Sequence, residues 1–109
     1  MPAPAELPVP TPCRVVLYVL SEEDAADVNQ QRRQAARLGK RRDGVQIHAG
    51  ERAHEGDEYP MVIVRVHGDE PDAHSPVNGQ VLLDGNDTLW VRRRGVGEGP
   101  GSWHWPARG

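Results

Sequence analysis

The stretch VLLDGNDTLWV, residues 81–91, constrains the fold of this chain more than any other. Two apolar arms enclose Asp84, Gly85, Asn86 and Asp87, which is the length of a hairpin loop. Gly85 and Asn86 tolerate positive φ, and the carboxylates of Asp84 and Asp87 can accept bonds from nearby backbone amides. Past the loop, Leu89 and Val91 share one face of a strand and Trp90 takes the other. A calcium site needs about six oxygen ligands, more than three short side chains supply. The sequence therefore predicts a bend and not an ion site, with Trp90 expected in the core.

The same style of punctuation runs through the second half of the chain. Short extended pieces at 45–48 (VQIH), 59–66 (YPMVIVRV), 77–83 (VNGQVLL), 88–93 (TLWVRR) and 102–105 (SWHW) are separated by glycine and proline. Five such pieces without an intervening helix predict a small, partly open antiparallel barrel over residues 45–106.

Before Gly44 the pattern differs. Residues 13–20, CRVVLYVL, read as a strand buried on both faces or nearly so, with Cys13 as a small buried hydrophobe. Ser21 then suits a helix N-cap, Asp24 stands at N3 in the place of a capping-box acid, and Glu22 and Glu23 favour the positive helix end. The helix is expected to run to Leu38 and stop at Gly39. Its apolar stripe, Ala25, Val28, Ala35 and Leu38, is interrupted at Gln31 and Arg32. Residues 1–12 contain Pro2, Pro4, Pro8, Pro10 and Pro12 and read as a flexible, extended arm. The expectation is one α+β domain at 13–109, with a strand–helix unit at 13–39 attached to the five-stranded barrel.

Composition narrows the functional classes. Thirteen Lys and Arg against sixteen Asp and Glu give a net charge of −3, so bulk charge does not favour polyanion binding. A single cysteine rules out a disulfide within the chain. The start lacks the basic and apolar regions of a signal peptide, and the run VVLYVL is too short to span a bilayer. A soluble protein, cytoplasmic when made and not bound to membrane, is expected. One lysine among thirteen basic residues and no phenylalanine suit the coding bias of a high-GC genome.

Sites of chemistry are sparse. His48, His54, His67, His74 and His104 form no metal-ligand spacing, so no metal and no other cofactor is expected. Neither Ser75 nor Ser102 sits in a nucleophile motif, and GDEPDAHSP reads as a connecting loop. The glycine-rich RGVGEGPG, 94–101, lacks the following helix that a phosphate loop needs. Two basic groups remain: Arg32, Arg33, Arg37, Lys40, Arg41 and Arg42 near the helix end, and Arg92, Arg93 and Arg94 at a strand end. Cations at a helix C-terminus stabilise its dipole, yet six exceed that need and offer candidate nucleic-acid contacts. Trp103 and Trp105 point the same way, either into the core or as an exposed patch, and are the candidate protein interface.

The elements EGDEYP, VNGQVLLDGNDT…W and GSWHWP, within residues 13–106, resemble those of short uncharacterised proteins found in actinobacteria and their phages. The resemblance implies a phage or prophage setting and carries over no catalytic residue. The strand pattern is also similar to that of Src-homology-3-like barrels, a likeness of fold alone. The expected function is a non-enzymatic interaction or structural module that contacts a protein partner or itself, as a phage accessory or virion component. The alternative is a nucleic-acid-binding module that uses the two arginine groups.

Overall fold

A computed structural model describes residues 7–39 and 49–107. Strand β1 (Val15–Val19) leads through helix α1 (Glu22–Gly39) to β2 (Glu58–Val66), β3 (Val77–Leu82), β4 (Thr88–Arg94) and the short β5 (Trp103–His104). They form one antiparallel sheet in the order β4-β3-β2-β1-β5, so the edges are β4 and β5 and the sheet is open. The chain is thus α+β, with one helix and a five-stranded antiparallel sheet among the described residues. β1 is not an appendage to this sheet. It lies inside, paired to β2 over Val15↔Val62 to Val19↔Glu58 and to β5 at Leu17↔His104. The expected strand at 45–48 falls outside the described residues; directly after it, Ala49 bridges Gly85.

Alternation along the strands sends Val16, Tyr18, Met61, Ile63, Val77, Val81, Leu89, Val91 and Trp103 to one face, where all are buried. Each such aliphatic side chain contributes about 1.5–3 kcal/mol relative to an exposed one. α1 covers this inner face through Ala25 and Val28, both part of the core. Gly79 sits on the same face because a Cβ there would lie 2.6 Å from the Met61 side chain.

The helix starts as its sequence requires. The Asp24 amide donates to Ser21 Oγ at 3.0 Å, and the Ser21 amide donates back to Asp24 Oδ2 at 3.1 Å, a reciprocal capping box. Of the expected apolar stripe, Ala25 and Val28 are buried and Ala35 is half-buried, while the Leu38 side chain lies outside the described residues.

Three expectations about burial are corrected. The outer side of β1 is buried only toward its end, with Val15 50% exposed, Leu17 half-buried and Val19 5% exposed. Cys13 is exposed, in a left-handed turn with φ of 75°, because the chain must bend there to bring its amide to the Ile63 carbonyl. Trp90 is 52% exposed and not core. Leu89 and Val91 point inward, and period two then forces Trp90 outward.

Candidate binding face and the contacts that frame it

The DGND corner is held by the helix. The Arg32 guanidinium forks onto the Asp87 carboxylate, Nε to Oδ2 at 2.9 Å and Nη2 to Oδ1 at 3.2 Å. Its other donors reach the carbonyls of Glu51 at 3.1 Å and Asp84 at 3.3 Å. The Asp87 bond raises the Arg32 pKa further. One turn earlier, Asn29 brackets Ala53, donating to its carbonyl at 2.9 Å and accepting from its amide at 3.1 Å. Asp84 Oδ2 accepts from the Glu51 amide at 3.1 Å. A Cβ on Gly50 would collide with the Asp84 carboxylate, so glycine is what lets this loop close on the hairpin. Both acids of the corner therefore hold chain segments together, as a bend requires. Arg32, grouped with the candidate nucleic-acid contacts, is instead a structural clamp with its side chain 13% exposed.

A second buried group sits under the helix start. Tyr18 donates to Asp24 Oδ2 at 2.5 Å, and Arg94 Nη2 lies 3.5 Å from Asp24 Oδ1. Arg94 thereby has a carboxylate partner under the helix, with its side chain still 37% exposed. Burial, then the bond to Asp24, pushes the Tyr18 phenol far above its ordinary value near 10. A phenol whose folded pKa is raised contributes stability that is complete below pH ~10, the unfolded value, and lost as pH climbs past it. In urea titrations between pH 8 and 11, the advantage of the wild type over Tyr18→Phe should hold to pH ~10. Above that it should shrink by up to about 1.4 kcal/mol per pH unit. Parallel profiles would remove the Tyr18–Asp24 bond from the account.

The two candidate interface tryptophans part company. Trp103 is fully buried and donates through Nε1 to the Arg94 carbonyl at 2.9 Å, so it is core and offers no surface. β5, at the sheet edge, places it opposite Tyr18 on the inner face. Trp105 is half-buried, edge-on to Trp103 at 5.6 Å, with the Arg14 guanidinium 5.0 Å from its ring centre. It lines an open cleft of about 360 Å³ with Leu7, His74, Val96, Glu98 and His104. His104 Nε2 bonds Glu58 at 2.9 Å across the outer face. The loop GDEPDAHSP is a connection fixed by itself: the Asp72 amide donates to Ser75 Oγ at 2.8 Å and the His74 amide to Asp72 Oδ1 at 2.8 Å.

The outer face of the sheet is different in kind. Cross-strand register lines up Val15, Val62, Gln80 and Trp90 in one row. Val15, Leu82 and Trp90 are about half exposed, as is Val64 at the β2 irregularity. Arg92 lies on the same strand face as Trp90, its guanidinium 5.7 Å from the ring centre. Arg65, exposed, pairs in register with Asn78. Arg93 sits where the β3–β4 register shifts, with φ of 50°, its amide donating to Asn78 Oδ1 at 2.9 Å. That bulge and its charges also blunt the β4 edge against strand pairing. Arg33 and Arg37 are exposed on the helix, which packs on the inner side, so the two arginine groups do not merge into one surface. Lys40, Arg41 and Arg42 lie outside the described residues.

Among the described residues, no group of three His, Cys, Asp or Glu side chains is placed to hold a metal ion, and no helix is long and apolar enough to cross a membrane. Comparison with family models, with curated proteins and with solved structures finds no match to this chain.

Proposed function

We propose that this chain is a non-enzymatic interaction module that binds through the outer face of its sheet, centred on Trp90. The observation that carries the reading is the half-exposed indole of Trp90, with Leu82 diagonal to it on β3 and half-exposed Val64 and Val15 further across the same face on β2 and β1, a face with no described helix over it. Large exposed apolar side chains gathered on one sheet face are a feature of binding surfaces. The polar side chains of the inner side support a non-enzymatic role, because Asp24, Tyr18, Arg32 and Asp87 are engaged in bonds that hold the fold. The phage or prophage setting, with a virion or accessory role, belongs to the same proposal and rests on the motif resemblance alone.

The test is retention of a ligand from extract of the native cell. Immobilised wild type should retain one protein or nucleic acid in stoichiometric amount. The variant Leu82→Glu plus Trp90→Glu, with an unchanged circular dichroism spectrum, should lose it. Light scattering of the free protein would register the case in which the ligand is a second copy. Equal retention by both proteins, or nothing bound or self-associated with the wild type, would refute the reading.

A further inference from the structure

The geometry points to single-stranded nucleic acid as the ligand of the outer face, with one base stacked on Trp90 and the backbone held by Arg65, Arg92 and Arg93. This rests on the reading of that face as the binding surface.

Charge is the first argument. The five strands carry Arg65, Arg92, Arg93 and Arg94 against one acid, Glu58. Glu58 is paired with His104 and Arg94 with Asp24. Arg65, Arg92 and Arg93 are exposed and enter no ion pair among the described residues. A chain of net charge −3 thus gathers on one sheet three guanidinium groups without a carboxylate partner among the described residues, one of them, Arg92, set over the Trp90 ring. An anionic partner is the complement of that arrangement, and guanidinium suits phosphate because its planar fork bonds two oxygens at once.

The indole is the second argument. Trp90 is 52% exposed, and Arg92 lies two residues along the same strand face. An aromatic ring flanked by arginine is the arrangement on which unpaired bases stack without regard to sequence. Neighbouring strands are about 4.8 Å apart, so Arg65 on β2 and Arg92 on β4 stand on strands ~10 Å apart. That matches about three nucleotides of a stacked strand at ~3.4 Å each. A duplex hides its base faces within its own stack, and among the described residues no helix stands on this face to enter a groove. An acidic peptide would pair with the arginines but brings no π face to the indole.

The full chain should bind a fluorescein-labelled twelve-nucleotide oligothymidylate with micromolar affinity at 50 mM salt, read by anisotropy. Three phosphate contacts predict a fall of about 15- to 20-fold between 50 and 200 mM salt. Trp90→Ala should weaken binding roughly ten-fold through the lost stack. Arg65→Glu plus Arg92→Glu should abolish it, with circular dichroism unchanged for each variant. The inference is overturned by no binding at 50 mM salt, by equal affinity for a duplex of the same length, or by polyglutamate competing as well as the oligonucleotide. It is also overturned if Trp90→Ala binds normally while Arg33→Glu plus Arg37→Glu does not, since that places the strand against the helix. Should it fall while Leu82→Glu plus Trp90→Glu still loses its ligand from extract, the outer face remains the binding surface and only the ligand class is wrong.

Discussion

Trp103→Ala is expected to remove about 3–5 kcal/mol of folding stability, the range for deleting a fully buried tryptophan. Trp103 has no exposed surface and packs between Tyr18 on β1 and the Trp105 ring, while its Nε1 holds the Arg94 carbonyl. Truncation leaves a cavity where β5 joins the sheet and strips that carbonyl of its donor. Against a total stability of about 5–15 kcal/mol, such a loss brings a small domain close to unfolding at ordinary temperature. Urea denaturation reads it directly. Trp103→Phe should cost distinctly less, and Trp90→Ala should stay within about 0.5 kcal/mol of wild type, as surface substitutions do. A Trp103→Ala loss below about 1 kcal/mol would return this residue to the surface, where its sequence position also allowed it to be.

Arg32→Ala is expected to cost about 2–3 kcal/mol. The side chains of Arg32 and Asp87 are 13% and 9% exposed, so truncation of one leaves the other a poorly solvated charge. Three segments are released together, because the same guanidinium holds the Glu51 and Asp84 carbonyls. Arg32→Lys should recover little, since an ammonium group cannot form the two parallel bonds. Amide hydrogen exchange should quicken in the second half of α1, which has lost its link to the hairpin, before it quickens in β1 or β2. A loss below about 0.5 kcal/mol would mean an exposed, unimportant pair.

What the sequence made legible follows the range of the interactions involved. The DGND corner, the antiparallel strands at 59–66, 77–83 and 88–93, and the Ser21–Asp24 cap are all local, set by residues within a few positions of one another. The side of each strand that faces the core is not local. Period two places Trp90 opposite Leu89 and Val91, but says nothing of which side the helix will cover. Trp103 and Trp105 share a side, yet one lies in a ladder and the other just beyond it. Arg32 looked like a flaw in an apolar stripe because its partner, Asp87, is 55 residues away. An arginine on the core side of a helix, together with an acid in a hairpin corner, was the available signal for this clamp. Two such residues do not announce that they meet. The outer face was harder still, since Arg65, Trp90 and Arg92 are scattered along two strands and converge only through the β2-β3-β4 register.

Arg32 and Asp87 hold the helix to the hairpin corner, while Arg65, Arg92 and Arg93 stay exposed on the sheet without a carboxylate partner among the described residues. A double-mutant cycle across Arg32→Ala and Asp87→Ala tests that arrangement most directly, with urea denaturation of the two single variants and the double. The account predicts strong coupling, with the double variant about 2 kcal/mol more stable than the sum of the single losses would leave it. Additive losses, within about 0.5 kcal/mol, would contradict it and release both residues for another role.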